Sequence, residues 1–286
     1  MWKRMRGPDF TWNGVPVEYL QLPRSPIRKS ARVERPLARA KTLTCSSCDL
    51  RGGCRAPVPP MFPSTPTSAF AVIGEAPGEM EDRKGQVFVG RSGQMLRKLM
   101  RDAGIDVGAG AWMNVVACRP AGNETPGVDE RAACRGNLMR GLEAANTRYV
   151  LLCGGVAVNA WRTGMKVTKV RGRWFVWWDA GGTGGVGADG DTRPGWWVLP
   201  TLHPAAILRR PALRHELRED LATFADVVNR HTIPTPSLVC VECEEEQVYW
   251  DGDGVGWCER CWGKRARVGV GGTRHRVHRD QGTFKF

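Results

Sequence analysis

Apolar residues fall into two rhythms along this chain. Short, wholly apolar runs stop at turn residues at Phe70 to Gly74, Trp112 to Ala117, Tyr149 to Cys153 and Trp196 to Leu202. Runs of that length without polar alternation suit strands buried on both faces. Elsewhere apolar residues recur every three or four positions. Ser92 to Ala103 places Met95, Leu96, Leu99 and Met100 on one face and ends at Gly104, which predicts a helix. Val128 to Asn146 reads as a second helix, with Asp129 and Glu130 in the first turn where acidic side chains favour the helix dipole. Pro211 to Val228 reads as a third, with Leu213, Leu217, Leu221 and Phe224 on one face. Gly154-Gly155 opens a short helix through Val158 and Trp161, and Lys169 to Trp178 reads as a hairpin. Strands alternating with helices imply an α/β fold, a parallel sheet covered on both sides.

The two ends differ from this middle. Residues 1–40 are basic, punctuated by proline and without sustained apolar period, and read as an arm that packs on the core, touches phosphate or stays loose. Residues 55–68 are a Pro/Ser/Thr-rich loop, and Gly181 to Gly190 a Gly-rich insertion. Past Pro234 and Pro236 the composition changes again. Cys240-Val241-Glu242-Cys243 and, fourteen residues on, Cys258-Glu259-Arg260-Cys261 have tetrathiolate zinc spacing. Trp250 to Gly254 between them reads as a hairpin turn, so 237–263 is expected to be a zinc ribbon whose metal supplies its folding energy. Residues 264–286, with Arg265, Arg267, Arg274, Arg276 and Arg279, read as a basic tail.

Charge points to a partner. Forty-two Lys and Arg against 29 Asp and Glu give a net charge of +13, which suits a polyanion, most simply nucleic acid. Ten cysteines could form disulfides, but eight fall in paired or metal-like patterns. Met1 to Arg6 is basic with no apolar segment after it, and no apolar run approaches membrane-spanning length. The expectation is a cytoplasmic protein, monomeric, without a membrane partner, whose cysteines serve metals.

The stretch from Ala71 to Met95 has the form strand, loop, helix. The run Ala71-Val72-Ile73-Gly74 meets Glu75-Ala76-Pro77-Gly78, a charged loop follows, and Phe88 precedes Gly90 and a helix start. Ligands of open α/β sheets bind outside the carboxyl ends of such strands. This stretch resembles the first motif of the family 4 uracil-DNA glycosylases, the iron–sulfur members of that superfamily. Asn114 to Pro126 is similar to their second motif and His203-Pro204-Ala205-Ala206-Ile207-Leu208-Arg209 to their third. Cys45, Cys48, Cys118 and Cys134 match the family's cluster ligands. The resemblance covers roughly residues 40 to 230 and implies a three-layer α/β/α sandwich around a four-stranded parallel sheet, with the glycosylase domain at 41–232.

Excising uracil breaks a C–N glycosidic bond after the base has left the helix. Such a site needs a stacking platform, groups for the uracil edge, a donor for the developing oxyanion and a placed water. Phe88 is the expected platform, although a core phenylalanine is the plainer alternative. Asn114 carries both a donor and an acceptor, as the uracil edge does; a cap or turn role competes. His203 could donate to uracil O2 as charge builds there, or simply satisfy loop carbonyls. Glu75 and Asn123 are candidates to position the water. Related families carry an Asp where this chain has Ala76, and a thymine-excluding Tyr where it has Gly78; Glu81 could fill that second role. The resemblance further implies that Leu208 and Arg209 meet the DNA near the vacated base.

The resemblance assigns the tetrathiolate Cys45, Cys48, Cys118 and Cys134 to a 4Fe–4S cluster, and Cys240, Cys243, Cys258 and Cys261 to zinc. Tetrathiolates suit both metals, so zinc at the first set stays open, as does Cys54 in place of Cys48. Uracil-containing DNA is the expected partner. Two other readings compete: a DNA-binding relative that has lost catalysis, and one that cross-links itself to abasic DNA. The latter carry a basic insertion after the second motif, whereas here Arg119-Pro120 runs straight to Asn123 and Pro126.

Overall fold

The computed structural model describes residues 48–177 and 196–232, together with strand segments Thr11–Trp12, Val15–Pro16, Tyr249–Trp250, Gly256–Trp257, His275–Val277 and Phe284–Lys285. Two units emerge: Ser30–Trp174 with Trp196–Pro234, and Met1–Lys29 with Phe175–Gly195 and Thr235–Phe286.

Within the first unit the order is α1 (Leu50–Gly53), β1 (Phe70–Gly74), α2 (Glu79–Lys84), α3 (Arg91–Asp102), β2 (Gly110–Asn114), α4 (Val128–Ala145), β3 (Tyr149–Cys153), α5 (Gly155–Trp161), α6 (Val167–Val170), β4 (Trp196–Thr201), α7 (Pro204–Arg209) and α8 (Arg214–Arg230). Four parallel strands lie in the order β2-β1-β3-β4. β1 and β3 are buried at every position, the signature of a sheet covered on both faces. The register pairs Gly74 with Asn114 and Cys153 with Thr201. All four carboxyl ends therefore reach one edge. The chain leaves β1 for β2 on one side and returns to β3 on the other, which makes the switch point where such folds bind ligands.

Three elements differ from the sequence expectation. The charged loop after Gly78 holds helix α2. Its first turn is acidic, its last basic, and Gly85 caps it at φ 65°, all favourable to a helix. It buries only Glu81, so no apolar period announces it. β2 runs from Gly110 and ends at Asn114, earlier than expected; Val115 and Val116 instead donate to the carbonyls of Gly74 and Glu75 as the chain turns into the site. The hairpin expected at Lys169 is replaced at its start by α6 and a turn at Gly172. Arg171 there reaches the buried Asp220 of α8, Nη2 to Oδ1 at 2.9 Å.

Among the described residues no helix is long and apolar enough to cross a membrane. In the second unit, Tyr249–Trp250 pairs antiparallel with Gly256–Trp257, a hairpin where one was expected. His275–Val277 pairs with Tyr249–Trp250 and with Phe284–Lys285, so residues expected as a tail enter this sheet. Cys240, Cys243, Cys258 and Cys261 lie outside the described residues.

Candidate active site

The carboxyl ends of β1, β2 and β4 open into a cleft of about 420 Å³. Its lining brings together Glu75, Ala76, Gly78, Glu81, Phe88, Asn114, Asn123, His203 and Arg209, all singled out in the sequence. Leu208 lies outside the lining and is 41% exposed, a large apolar side chain standing in solvent beside Arg209.

Phe88 and Asn114 meet over Gly74. A Cβ at position 74 would lie 2.4 Å from Asn114 Oδ1 and 2.7 Å from Phe88 Cζ. Only glycine leaves room for both, and Gly74 was not singled out. Phe88 is buried and takes φ 56°, a left-handed conformation that costs a non-glycine residue about 1–2 kcal/mol. Trp112 meets its ring edge to face at 5.1 Å between centroids. The segment is anchored next door, where the Gly90 N–H donates to Glu81 Oε1 at 2.7 Å. Glu81 is only 8% exposed. Its other oxygen lies 2.9 Å from where a Gly78 Cβ would stand, so its carboxylate occupies the space a larger residue at 78 would need.

His203 follows β4 and caps the amino end of α7. Its Nδ1 accepts the Ala205 N–H at 3.2 Å. That bond places the ring proton on Nε2. Burial, and secondarily the Arg209 charge, lower its pKa to about 4, so the imidazole is neutral at pH 7. Gly154, at φ 92°, packs on it: a Cβ there would lie 2.7 Å from His203 Cβ. The sequence marked Gly154 only as a helix start.

Glu75 is held by a hydrogen bond with Thr125. Burial raises its pKa, against the Thr125 bond and the charges of Arg209 and Arg131. Asn123, at φ 59°, accepts from Arg119 Nε at 2.8 Å through Oδ1, so its carbonyl is already engaged.

Of the four cysteines expected at the cluster, Cys45 lies outside the described residues. Cys118 is buried; Cys48 and Cys134 are half-buried. Cys134 Sγ accepts from the Ala117 N–H at 3.4 Å and Asn137 Nδ2 at 3.8 Å, which sets that sulfur beside the Cys118 backbone. Two N–H groups aimed at one sulfur are the kind of contact that tunes a ligating sulfur, and hydrogen bonds to sulfur are a feature of cluster ligation. Among the described residues no three His, Cys, Asp or Glu side chains form an ion-binding group.

The model of the Uracil DNA glycosylase superfamily matches residues 62–225 of this chain, which belongs to that superfamily. Relatives within it are named Type-4 uracil-DNA glycosylase. The chain is 38% identical to that of Thermotoga maritima over 153 residues, 52% of this chain and 72% of the relative. It is 35% identical to that of Pyrobaculum aerophilum over 158 residues, 54% and 74% of the two chains. The Archaeoglobus fulgidus protein is 28% identical over 193 residues, covering 66% and 90%.

Proposed function

We propose that this protein excises uracil from DNA, hydrolysing the N-glycosidic bond of a flipped nucleotide and leaving an abasic site. The observation that carries this reading is the state of His203: neutral, with Nδ1 satisfied by the Ala205 N–H, it offers Nε2–H in the cleft that Asn114 and Phe88 line.

The flipped base stacks on Phe88, and the Asn114 amide pairs with the uracil edge. The bond between C1′ and uracil N1 breaks, and its electron pair leaves with the base, whose negative charge collects on O2. Nε2–H of His203 donates to that oxygen. A neutral donor gives no ion pair to the uncharged substrate, so its stabilisation is greatest in the transition state. The sugar left behind is oxocarbenium-like; water adds to C1′ as its hydroxyl, and the proton it releases neutralises the departed uracil anion. Glu75, held by Thr125, places that water and faces the cation with a carboxylate, while Asn123 shapes the loop through Arg119. Ala76, also in the cleft lining, carries no group that could hold the water, which leaves that part to Glu75. Glu81, filling the volume next to Gly78, bars the thymine methyl. Leu208 and Arg209 meet the DNA, the first as an apolar wedge and the second at phosphate.

Cys45, Cys48, Cys118 and Cys134 would hold a 4Fe–4S cluster. Its part is structural, tying the segment before β1 to the second motif and α4. Cys240, Cys243, Cys258 and Cys261 would hold zinc, a reading supported by their spacing and by the antiparallel strands between the two pairs. Anaerobically purified protein should then be brown, with about four irons and one zinc per chain. Cys118→Ala should bleach it; Cys258→Ala should remove zinc and leave the colour. A colourless protein carrying two zincs contradicts the cluster.

The activity is tested by uracil release from a uracil-containing oligonucleotide. Release with turnover is the expected result. Binding without release, or a stable covalent adduct with abasic DNA, contradicts it.

A further inference from the structure

Arg97 lies on α3, nine residues after Phe88 and outside the cleft lining. It is half-buried, and its partners among the described residues are unusual for a cation. Nε donates to the Phe88 carbonyl at 3.4 Å. The guanidinium lies 3.8 Å from the centroid of the Trp112 ring, and Nη2 meets Met61 Sδ at 4.0 Å. Trp112 is fully buried, is fixed by its own Nε1–H to the Val107 carbonyl at 3.2 Å, and braces the Phe88 ring.

These contacts converge on one residue in a left-handed conformation. Phe88 does not adopt φ 56° for local reasons, so its surroundings must hold it there. Gly93 lets α3 approach: a Cβ there would lie 2.5 Å from the Phe88 backbone. Arg97 then grips the Phe88 carbonyl with its edge and stacks on Trp112 with its face. A guanidinium has both an edge and a face; an ammonium has neither.

We propose that Arg97 is a positioning residue for the base-stacking platform, setting the angle of the Phe88 ring through the Phe88 carbonyl and Trp112. This rests on the reading of Phe88 as that platform. The test is a double-mutant cycle on the full chain, measuring kcat/KM for uracil excision and binding to a duplex with an uncleavable deoxyuridine analogue. Arg97→Met should lower kcat/KM about tenfold, chiefly through binding, and Arg97→Lys should restore less than half of that loss on a logarithmic scale. In a Phe88→Ala background, Arg97→Met should cost less than about twofold, because the residue it positions is gone. An equal cost in both backgrounds overturns the proposal, as does full rescue by lysine. If Phe88→Ala itself leaves excision and binding unchanged, the reading of Phe88 fails first and the proposal falls with it. Thermal unfolding of each variant separates a folding defect, which would appear equally in both backgrounds.

Discussion

The two sides of the cleft hold their side chains by different means. On one side His203 is placed by backbone: it caps α7 through Ala205 N–H and rests on Gly154. On the other, Phe88 and Asn114 are placed by buried side chains. Gly74 makes room for both, Glu81 ties down Gly90, and Trp112 braces the ring. The first arrangement presents one uncharged donor at a point. The second presents a ring and an amide that, on the proposed mechanism, a bound base would touch before and during reaction. On the proposed mechanism the first side would stabilise charge that appears only as the bond breaks, and the second would capture the base.

Damage to each side should therefore leave a different kinetic trace. The largest effect is expected at Asn114→Asp, which puts an acceptor where uracil O4 needs a donor. Uracil excision should fall on the order of a thousandfold or more, since a site built for one hydrogen-bond pattern rejects its complement; cytosine release from a C·G duplex is the gain to assay. Gly154→Ala should displace the His203 ring and cost about tenfold to a hundredfold in single-turnover rate with little change in binding. Equal losses in rate and binding would merge the two sides. Glu81→Ala opens the space beside Gly78 and frees the Gly90 N–H. Uracil excision should drop about tenfold, and thymine release from a T·G duplex should become measurable.

The smallest effect is on pH-dependent stability. The folded His203 titrates at about 4, below the ordinary 6.5. Between those values the unfolded chain carries the extra proton, so stability falls as pH drops through this window. Asp220 acts in the opposite sense. Only 2% exposed, it accepts from Thr201 Oγ1 at 2.6 Å, and burial raises its pKa to about 6 from 3.8. Its cost is present above about 6 and relieved as pH falls. His203→Gln removes only the first contribution. Melting temperatures should then fall less between about pH 7 and pH 5 in the variant than in the parent. An unchanged profile would place His203 in a more solvated setting.

Most of the sheet was legible because its strands are uninterrupted apolar runs, and β1 and β3 fall where Phe70 to Gly74 and Tyr149 to Cys153 predict. The convergence of Glu75, Asn114 and His203 was not in the periodicity. It came from motifs, and parallel register explains it, since the carboxyl ends of β1, β2 and β4 share one edge. α2 was missed because a six-residue helix that buries only a carboxylate has no apolar stripe. The supports of the site were missed for a related reason. Gly74, Gly154 and Arg97 act through close approach to residues distant in sequence or off their own element. Nothing local marks such contacts.

The division between the two sides is tested most directly by two single variants measured in parallel. Each is assayed for single-turnover excision from a U·G duplex and for equilibrium binding to the same duplex with an uncleavable deoxyuridine analogue. His203→Ala should lose on the order of a hundredfold or more in rate while binding stays within about threefold. Phe88→Ala should weaken binding about tenfold or more, the value of one base–aromatic stack. Excision by His203→Ala at the parent rate, or a loss confined to binding, would contradict the account.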